Sequence, residues 1–418
     1  MALVRAAKAG LHELMHAFGY VTVASALHDD AAVEVITGRV RSELDRIGGS
    51  GATAPEDRPD APFAILVGTG GTEAEIIELV GRRRVVAPFE PVLLVAHPLH
   101  NSLPAALEAM ARVQADGGRG RIVQVGTDGT DSLATAVTDV SAIHRLRATR
   151  LGLVGEPSPW LVASVPDAGL LRERWGVELV PIDIADTIAA HHHVRTAEAQ
   201  HVAVRFAHSA SPSQRLVDAA KLHSALLEAI EAADVDAITV RCFDYLSELS
   251  TSGCVGLAEL NDSGVVAGCE GDVSSAVGML LVRALLGQPS WMANPADLDG
   301  EHGRLLLAHC TVAPSLVEEV ELHTHFESGL GVGLRGLFAP GPVTLLRLGG
   351  RALEKYWIAD GEIEHAGSAD ELCRTQAFVR TDSGAVQSLL DAPLGNHLLL
   401  VHGHHRDRIQ RWWRTAFG

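Results

Sequence analysis

The sequence predicts an α/β protein: two doubly wound parallel-sheet domains followed by a mostly antiparallel, barrel-like β domain. Three observations predict it. From Pro62 onward, short apolar runs alternate with helical patterns, as in βαβ units. At Arg150 the alternation restarts with a new strand, glycine turn and helix. After Gly287-Gln-Pro it gives way to short strands separated by glycine, proline and acidic turns. The pattern divides the chain into an N-terminal α/β domain (1–149), a second α/β domain (150–287) and a C-terminal β domain (288–418). A chain of 418 residues is long enough for two or three such cores.

Taken in order, residues 1–60 read as helix-rich, with spaced apolar residues from Ala24 to Ile47 and a Gly/Pro/Asp linker over 48–59. Pro62-Phe-Ala-Ile-Leu-Val-Gly is a buried strand. It leads through Gly68-Thr-Gly-Gly-Thr-Glu73 into a helix reaching Leu79. A dinucleotide loop would carry its third glycine where Glu73 stands. The alternative is a glycine turn whose backbone donors, around Gly71 and Thr72, meet a sugar or carboxylate oxygen. Pro91-Val-Leu-Leu-Val-Ala-His97 is the next strand, with His97 at its carboxyl end. Asn101-Ser-Leu-Pro opens a helix with Ser102 as cap. Arg121–Gly126 closes the βαβαβ pattern, and Thr130–Arg147 is a helix back.

The second domain begins with Arg150-Leu-Gly-Leu-Val-Gly-Glu-Pro-Ser-Pro-Trp160; the tryptophan is either exposed at the strand end or packed in the first helical turn. Val177–Ile182 and Ala237–Phe243 are strands, and Ser213–Ala232 is an amphipathic helix. His191-His-His193 falls on the solvated face of a helical region, Ala185–Ala207. Val255–Leu260 reads as either helical or extended. Val265-Val-Ala267 is the last strand of this domain, and Ala276, Val277, Leu280, Leu281 and Ala284 give the following helix its apolar face. In the third domain, short strands are predicted near residues 305–310, 320–325, 333–338, 342–348, 352–358, 375–380 and 397–402.

Composition narrows the function classes. The net charge is −18, which argues against wide contact with nucleic acid or an anionic membrane. No apolar run of spanning length occurs, and Met1-Ala-Leu-Val-Arg lacks a signal-peptide core. The five cysteines are odd in number and lack Cys-x-x-Cys spacing, which fits a reducing cytoplasm.

Chemistry is concentrated late in the chain. Glu270 and Asp272 sit where a strand end meets a helix start, the edge at which open α/β sheets bind ligands. Asp272 also suits the helix cap. Asn294, His309 and His397 stand at or beside other predicted strand ends. One carboxylate, one amide and two imidazoles suit Mn²⁺, Fe²⁺, Co²⁺ or Zn²⁺, and oxygen ligands tilt the choice toward Mn²⁺.

Glu270-x-Asp272 followed by a Gly-Met-Leu-Leu helix, Met-Ala-Asn294, and the Asn396-His397…Gly403-His404 run resemble the L-fucose/L-arabinose isomerase superfamily. The resemblance is carried by residues 260–418. It implies two α/β domains plus a β domain, assembled as a homo-trimer or hexamer. It also implies a Mn²⁺ or other divalent cofactor held by Glu270, Asn294, His309 and His397. The implied reaction is isomerisation of an open-chain deoxy-hexose or pentose, of L-fucose or L-arabinose type, through an enediolate. Glu270 would be ligand and base, with Asp272 the second candidate catalytic group. Gly71, Thr72, His97, Asn101, Trp160 and His404 are the candidate substrate contacts. The implied partner is a small-molecule sugar.

One departure from the family pattern bears on mechanism. The second carboxylate of the family lands on Asn294, which cannot take a proton. Either Asp272, Asp297 or Asp299 substitutes, or the register is off by three to five residues, or the chemistry has changed. The alternatives are a related metal-dependent enolising enzyme and a non-catalytic sugar-binding relative.

Overall fold

The computed structural model describes residues 17–51, 54–126 and 131–418. The first sixteen residues of the opening segment therefore lie outside the described part. Two compact units are present among the described residues: those from Ala17 to Arg145 together with Arg408–Gly418, and Leu146–Asp407.

The first unit contains β1 (Phe18–Val23), α1 (Asp30–Arg46), β2 (Gly49–Ser50), β3 (Phe63–Val67), α2 (Glu73–Val86), β4 (Val92–Ala96), α3 (Ser102–Ala115), β5 (Gly120–Gln124) and α4 (Asp131–Ala148). Its five strands are parallel, in the order β2-β1-β3-β4-β5. Side-chain parity explains why β3 and β4 are apolar throughout. Phe63, Ile65, Val67, Leu94 and Ala96 pack with α2 and α3. Ala64, Leu66, Leu93 and Val95 face the other way, onto α1 and α4. A sheet covered on both faces has no polar side to alternate with. The helix-rich opening segment is corrected by β1: Phe18, Tyr20, Val21 and Val23 favour a strand once a sheet edge is available to pair with.

The second unit holds β6 (Arg150–Val154), α5 (Ala168–Trp175), β7 (Glu178–Ile182), α6 (Ile184–His193), α7 (Thr196–Ala207), α8 (Gln214–Ala233), β8 (Ala237–Val240), α9 (Phe243–Leu249), α10 (Cys254–Ser263), β9 (Ala267–Cys269) and α11 (Val273–Leu286). A parallel sheet runs β7-β6-β8-β9. There follow β10 (Trp291–Asp299), β11 (Arg304–His309), β12 (Glu319–His323), β13 (Gly333–Leu337), β14 (Gly341–Gly349), β15 (Lys355–Ala366), β16 (Thr375–Thr381), α12 (Ser383–Asp391), β17 (Leu398–His402) and α13 (Arg406–Phe417). Six of these strands close an antiparallel barrel, β10-β11-β16-β15-β14-β17, and β12-β13 form a separate ribbon. The α/β character and the antiparallel barrel are those the sequence predicts.

Local differences have local causes. Val255–Leu260 resolves as the helix α10. His191 is buried, its Nε2 2.9 Å from the Asp218 carbonyl oxygen, while His192 and His193 remain exposed. The last helix, absent from the sequence reading, packs largely within the first unit: Trp412 donates its indole N–H to the Asp139 carbonyl (2.9 Å), and Arg408 reaches the Asp139 carboxylate (3.3 Å).

Two packing features position the functional residues. Helix α11 lies tight against the barrel at Gly278, where an added Cβ would meet a Leu399 methyl at 2.6 Å. This brings the start of α11 beside β14 and β17. In addition, β10 is flanked by β11 and β17, with Asn294 paired to Ala308 and Ala293 to Leu398. Continued one residue, that register sets His397 level with Asn294, and His309 one position beyond Ala308.

His223 on α8 gives the fold an acid-sensitive point. It is buried, its Nδ1 has no hydrogen-bond partner, and an added Cβ on Gly256 of α10 would meet its backbone nitrogen at 3.0 Å. Burial, then the charges of His201 and Arg205, push its pKa down to about 4. The stability gained by keeping this ring neutral is complete above the ordinary histidine value and is lost as pH falls through about 4. The full difference is on the order of 3 kcal/mol. His223→Leu is expected to narrow the gap between melting temperatures at pH 4 and pH 7. An unchanged gap would show that His223 is not the titrating group.

Candidate metal centre

Glu270 follows β9 in a left-handed conformation, φ 62°, and Gly271 continues it at φ 70°. This double reversal takes the chain from the sheet into α11 and aims the Glu270 side chain back across the strand end. A non-glycine residue there costs about 1 kcal/mol or more, a strain associated with functional positions. Gly271 is also hemmed in: a Cβ would lie 2.9 Å from the Pro157 Cα and 3.0 Å from the Glu156 carbonyl. The Glu270 carbonyl accepts from the Ser158 N–H at 2.9 Å, pinning the turn to the loop that carries Trp160.

Around Glu270 the structure gathers His309 from the end of β11 and His397 from the residue before β17. Their ligating atoms all lie within 4.8 Å of one another, and all three residues are buried. Glu270 Oε1 is 3.9 Å from His309 Nε2 and 3.4 Å from His397 Nε2. The second contact is not aligned as a hydrogen bond, so His397 Nε2 is a buried nitrogen with no hydrogen-bond partner. Glu270 Oε2 accepts from the Trp160 indole N–H at 2.6 Å. Trp160 is half-exposed and stands edge-on to Phe243, which in turn meets His325.

A second layer fixes His397. Its Nδ1 lies 2.8 Å from Asp272 Oδ2. Asp272 caps α11, accepting from the Ser275 N–H (2.7 Å) and the Ser275 hydroxyl (2.9 Å). Arg347 on β14 reaches the same carboxylate at 3.1 Å and also donates to the Ser275 and Ser164 hydroxyls, each at 2.6 Å. Asp272 and Arg347 are essentially inaccessible to solvent. Both carboxylate oxygens of Asp272 are thus engaged inside the protein, in the arrangement that orients a metal-binding imidazole.

The electrostatics agree with this division. Burial pushes His309 down to about 4, keeping the ring neutral. Burial also opposes the charge on His397, but Asp272 and Glu270 outweigh it and raise its pKa to about 8. Burial alone would raise Glu270; His397, His309 and the Trp160 N–H more than offset it and hold the carboxylate ionised. Arg347 and His397 overcome the same penalty for Asp272 and keep it well below the usual range.

The donor set suits a divalent ion. An ionised carboxylate oxygen, a neutral imidazole and an imidazole nitrogen with no other partner face one point. Asn294 lines the same cavity, with His325, Glu327 and all five cysteines of the chain. Cys242 and Cys269 bring their sulfurs to 2.7 Å. Asp272→Asn is expected to weaken divalent-metal binding about 10- to 100-fold. Unchanged affinity by titration calorimetry would assign Asp272 to helix capping alone.

The remaining sequence candidates lie on other elements. In the first unit, His97 is buried with Nε2 2.9 Å from the Gly68 carbonyl, and Nδ1 accepts from the Leu99 N–H. Thr72 donates its hydroxyl to the Thr69 carbonyl, Gly71 is exposed at φ 79°, and Asn101 begins α3 at φ 55°. His404 follows the far end of β17 from His397, on the order of 20 Å away along an extended strand. It lies 3.2 Å from the Gly361 carbonyl and from Glu362. It does not join the Glu270 cluster, because the run that looks contiguous in sequence spans the length of a strand. Asp297 and Asp299 bond the Leu298 and His302 N–H groups of their own turn.

Sequence reasoning missed Arg347, although an arginine inside the apolar run Pro342–Leu348 was itself a signal that a buried partner awaited it. Glu327 and His325, on the loop between β12 and β13, carried no signal at all.

The chain is similar to curated sulfoquinovose isomerases. It is 26% identical over 225 residues to the one from Alkalicoccus urumqiensis, covering half of each protein. It is 27% identical over 211 residues to that of Clostridium sp. (strain MSTE9), or 45% of this chain and 44% of that protein. It is 21% identical over 235 residues to that of Priestia aryabhattai, 52% and 51% of the two chains. The chain spans about half the length of the curated relatives it matches. No family model matches it. Among the described residues, no helix is long and apolar enough to cross a membrane.

Proposed function

We propose that this protein is a divalent-metal-dependent aldose–ketose isomerase acting on an open-chain sugar. The observation that carries the reading is the buried convergence of Glu270, His309 and His397 with one imidazole nitrogen unsatisfied. The similarity to sulfoquinovose isomerases supports the reaction class. Glu270, His309 and His397 would hold the ion, with the Asn294 carbonyl oxygen beside them; Mn²⁺ is the first choice for this donor set. The ion supplies Lewis-acid polarisation of the sugar's carbonyl and hydroxyl oxygens.

The chain's own residues do the rest. The Trp160 N–H holds Oε2 of Glu270 and so fixes the carboxylate, which would serve both as ligand of the ion and as the base for the carbon-bound proton. Asp272 and Arg347 keep His397 in one orientation, so the cluster is organised before substrate arrives. The half-exposed Trp160 ring flanks the site and offers an apolar face to the sugar's C–H surface.

The test is to load the purified protein with Mn²⁺ and incubate sulfoquinovose, L-fucose and L-arabinose in deuterium oxide. Ketose formation with deuterium at C1 is expected for at least one. Sugar binding without exchange would favour the non-catalytic relative. Exchange without ketose would favour the enolising enzyme. Assembly as a trimer or hexamer belongs to the same reading and is checked by light scattering.

A further inference from the structure

Asn294 leaves the isomerase one acid short, because an amide exchanges no proton. The aspartates that could replace it are committed: Asp272 to Ser275, Arg347 and His397, and Asp297 and Asp299 to their own turn. We propose that Glu327, on the loop between β12 and β13, is the second acid–base group of the reaction. This rests on the isomerase reading above.

Glu327 lines the same cavity as Glu270, Asn294 and His309. Glu327 keeps access to solvent while lining that cavity. The loop that presents it is held at several points. Arg374 donates to the Thr324 carbonyl at 3.0 Å, and the His325 N–H to the Leu330 carbonyl at 3.0 Å. Ser252 bonds both the N–H and the carbonyl of Val332, at 2.8 and 2.6 Å. His325, two residues before Glu327, is buried edge-on to Phe243. Partial burial, the larger cause, raises the Glu327 carboxyl above its ordinary value, which favours the protonated form an acid needs.

The step balances within the sugar. Glu270 takes the C2 proton as the C1–C2 double bond forms, and Glu327 gives its proton to the C1 oxygen. Glu327 then takes the proton of the C2 hydroxyl as the ketone forms, and Glu270 returns its proton to C1. C1 is reduced, C2 is oxidised, and both carboxyl groups end as they began.

The experiment compares wild-type, E327Q and E327D full-length protein loaded with Mn²⁺. For E327Q, kcat is expected to fall about 100-fold or more, with KM within about threefold and the alkaline limb of the kcat profile gone. Binding of an alditol should be unchanged, and binding of an aldonohydroxamate, which mimics the enediolate, should weaken at least about tenfold. E327D should recover part of the rate. An active wild type with E327Q within about threefold in kcat and the same pH profile overturns the role of Glu327 alone. Equal loss of alditol and Mn²⁺ binding overturns it in favour of a structural role. A wild type inert toward every aldose overturns the isomerase reading, and this proposal with it.

Discussion

Glu270→Gln is expected to lower isomerisation by roughly 10³-fold or more, because one change removes both an anionic metal ligand and the base for the carbon-bound proton. The glutamine keeps the length of the side chain and can still meet the Trp160 N–H through its amide oxygen. The fold should therefore survive while Mn²⁺ affinity drops. Backbone geometry adds a second, independent expectation. At φ 62° this position strains every residue but glycine. Glu270→Gly should therefore unfold at a higher denaturant concentration than Glu270→Ala, with a difference of about 1 kcal/mol. Equal stabilities would mean the left-handed turn is not strained. Full activity in Glu270→Gln would remove Glu270 from the chemistry altogether. Together the pair separates what the residue does in the reaction from what its conformation costs the fold.

Much of this was legible in the sequence, and the parts that were not share a cause. The uniformly apolar runs at Phe63–Val67 and Val92–Ala96 announce strands buried on both faces, because helices on either side leave no polar alternation. Glu270 announced itself by standing between a strand and a helix start. The convergence of His309 and His397 was implied by the family resemblance and not by any local pattern, since it depends on the register of β10 against β11 and β17. Antiparallel pairing brings residues 88 positions apart to one end of a barrel and carries His402 and His404 to the other. Asp272 shows a different gap. Its sequence position suited either capping or catalysis, and the three-dimensional neighbours Arg347, Ser275 and His397 give it work as a cap and an orienting group. Glu327 lies in a loop whose position is set by Arg374 and Ser252, residues far from it in sequence, so no local pattern could reveal it.

Arg347→Met is expected to produce the largest stability loss, about 3–5 kcal/mol. The guanidinium is 1% exposed and satisfies Asp272 Oδ2, the Ser275 and Ser164 hydroxyls and, at 3.4 Å, the Leu394 carbonyl. Methionine fills much of the volume but leaves the Asp272 carboxylate in a dry interior without its principal cation. That uncompensated charge, rather than the lost hydrogen bonds, sets the size of the effect. For a chain of this size the melting temperature should fall by about 3–6 °C. Lysine should rescue only partly, because a point charge cannot serve carboxylate and hydroxyls with the same fork. The decisive comparison is Asp272→Asn combined with Arg347→Met. Removing both charges should restore a large part of the stability lost in Arg347→Met, since a neutral pair is no longer stranded. Metal affinity should not return with it, because His397 would still lack the carboxylate that fixes its ring. A double variant that recovers Mn²⁺ binding along with stability would show that Arg347 and Asp272 serve the fold alone, and that His397 is oriented by its barrel neighbours.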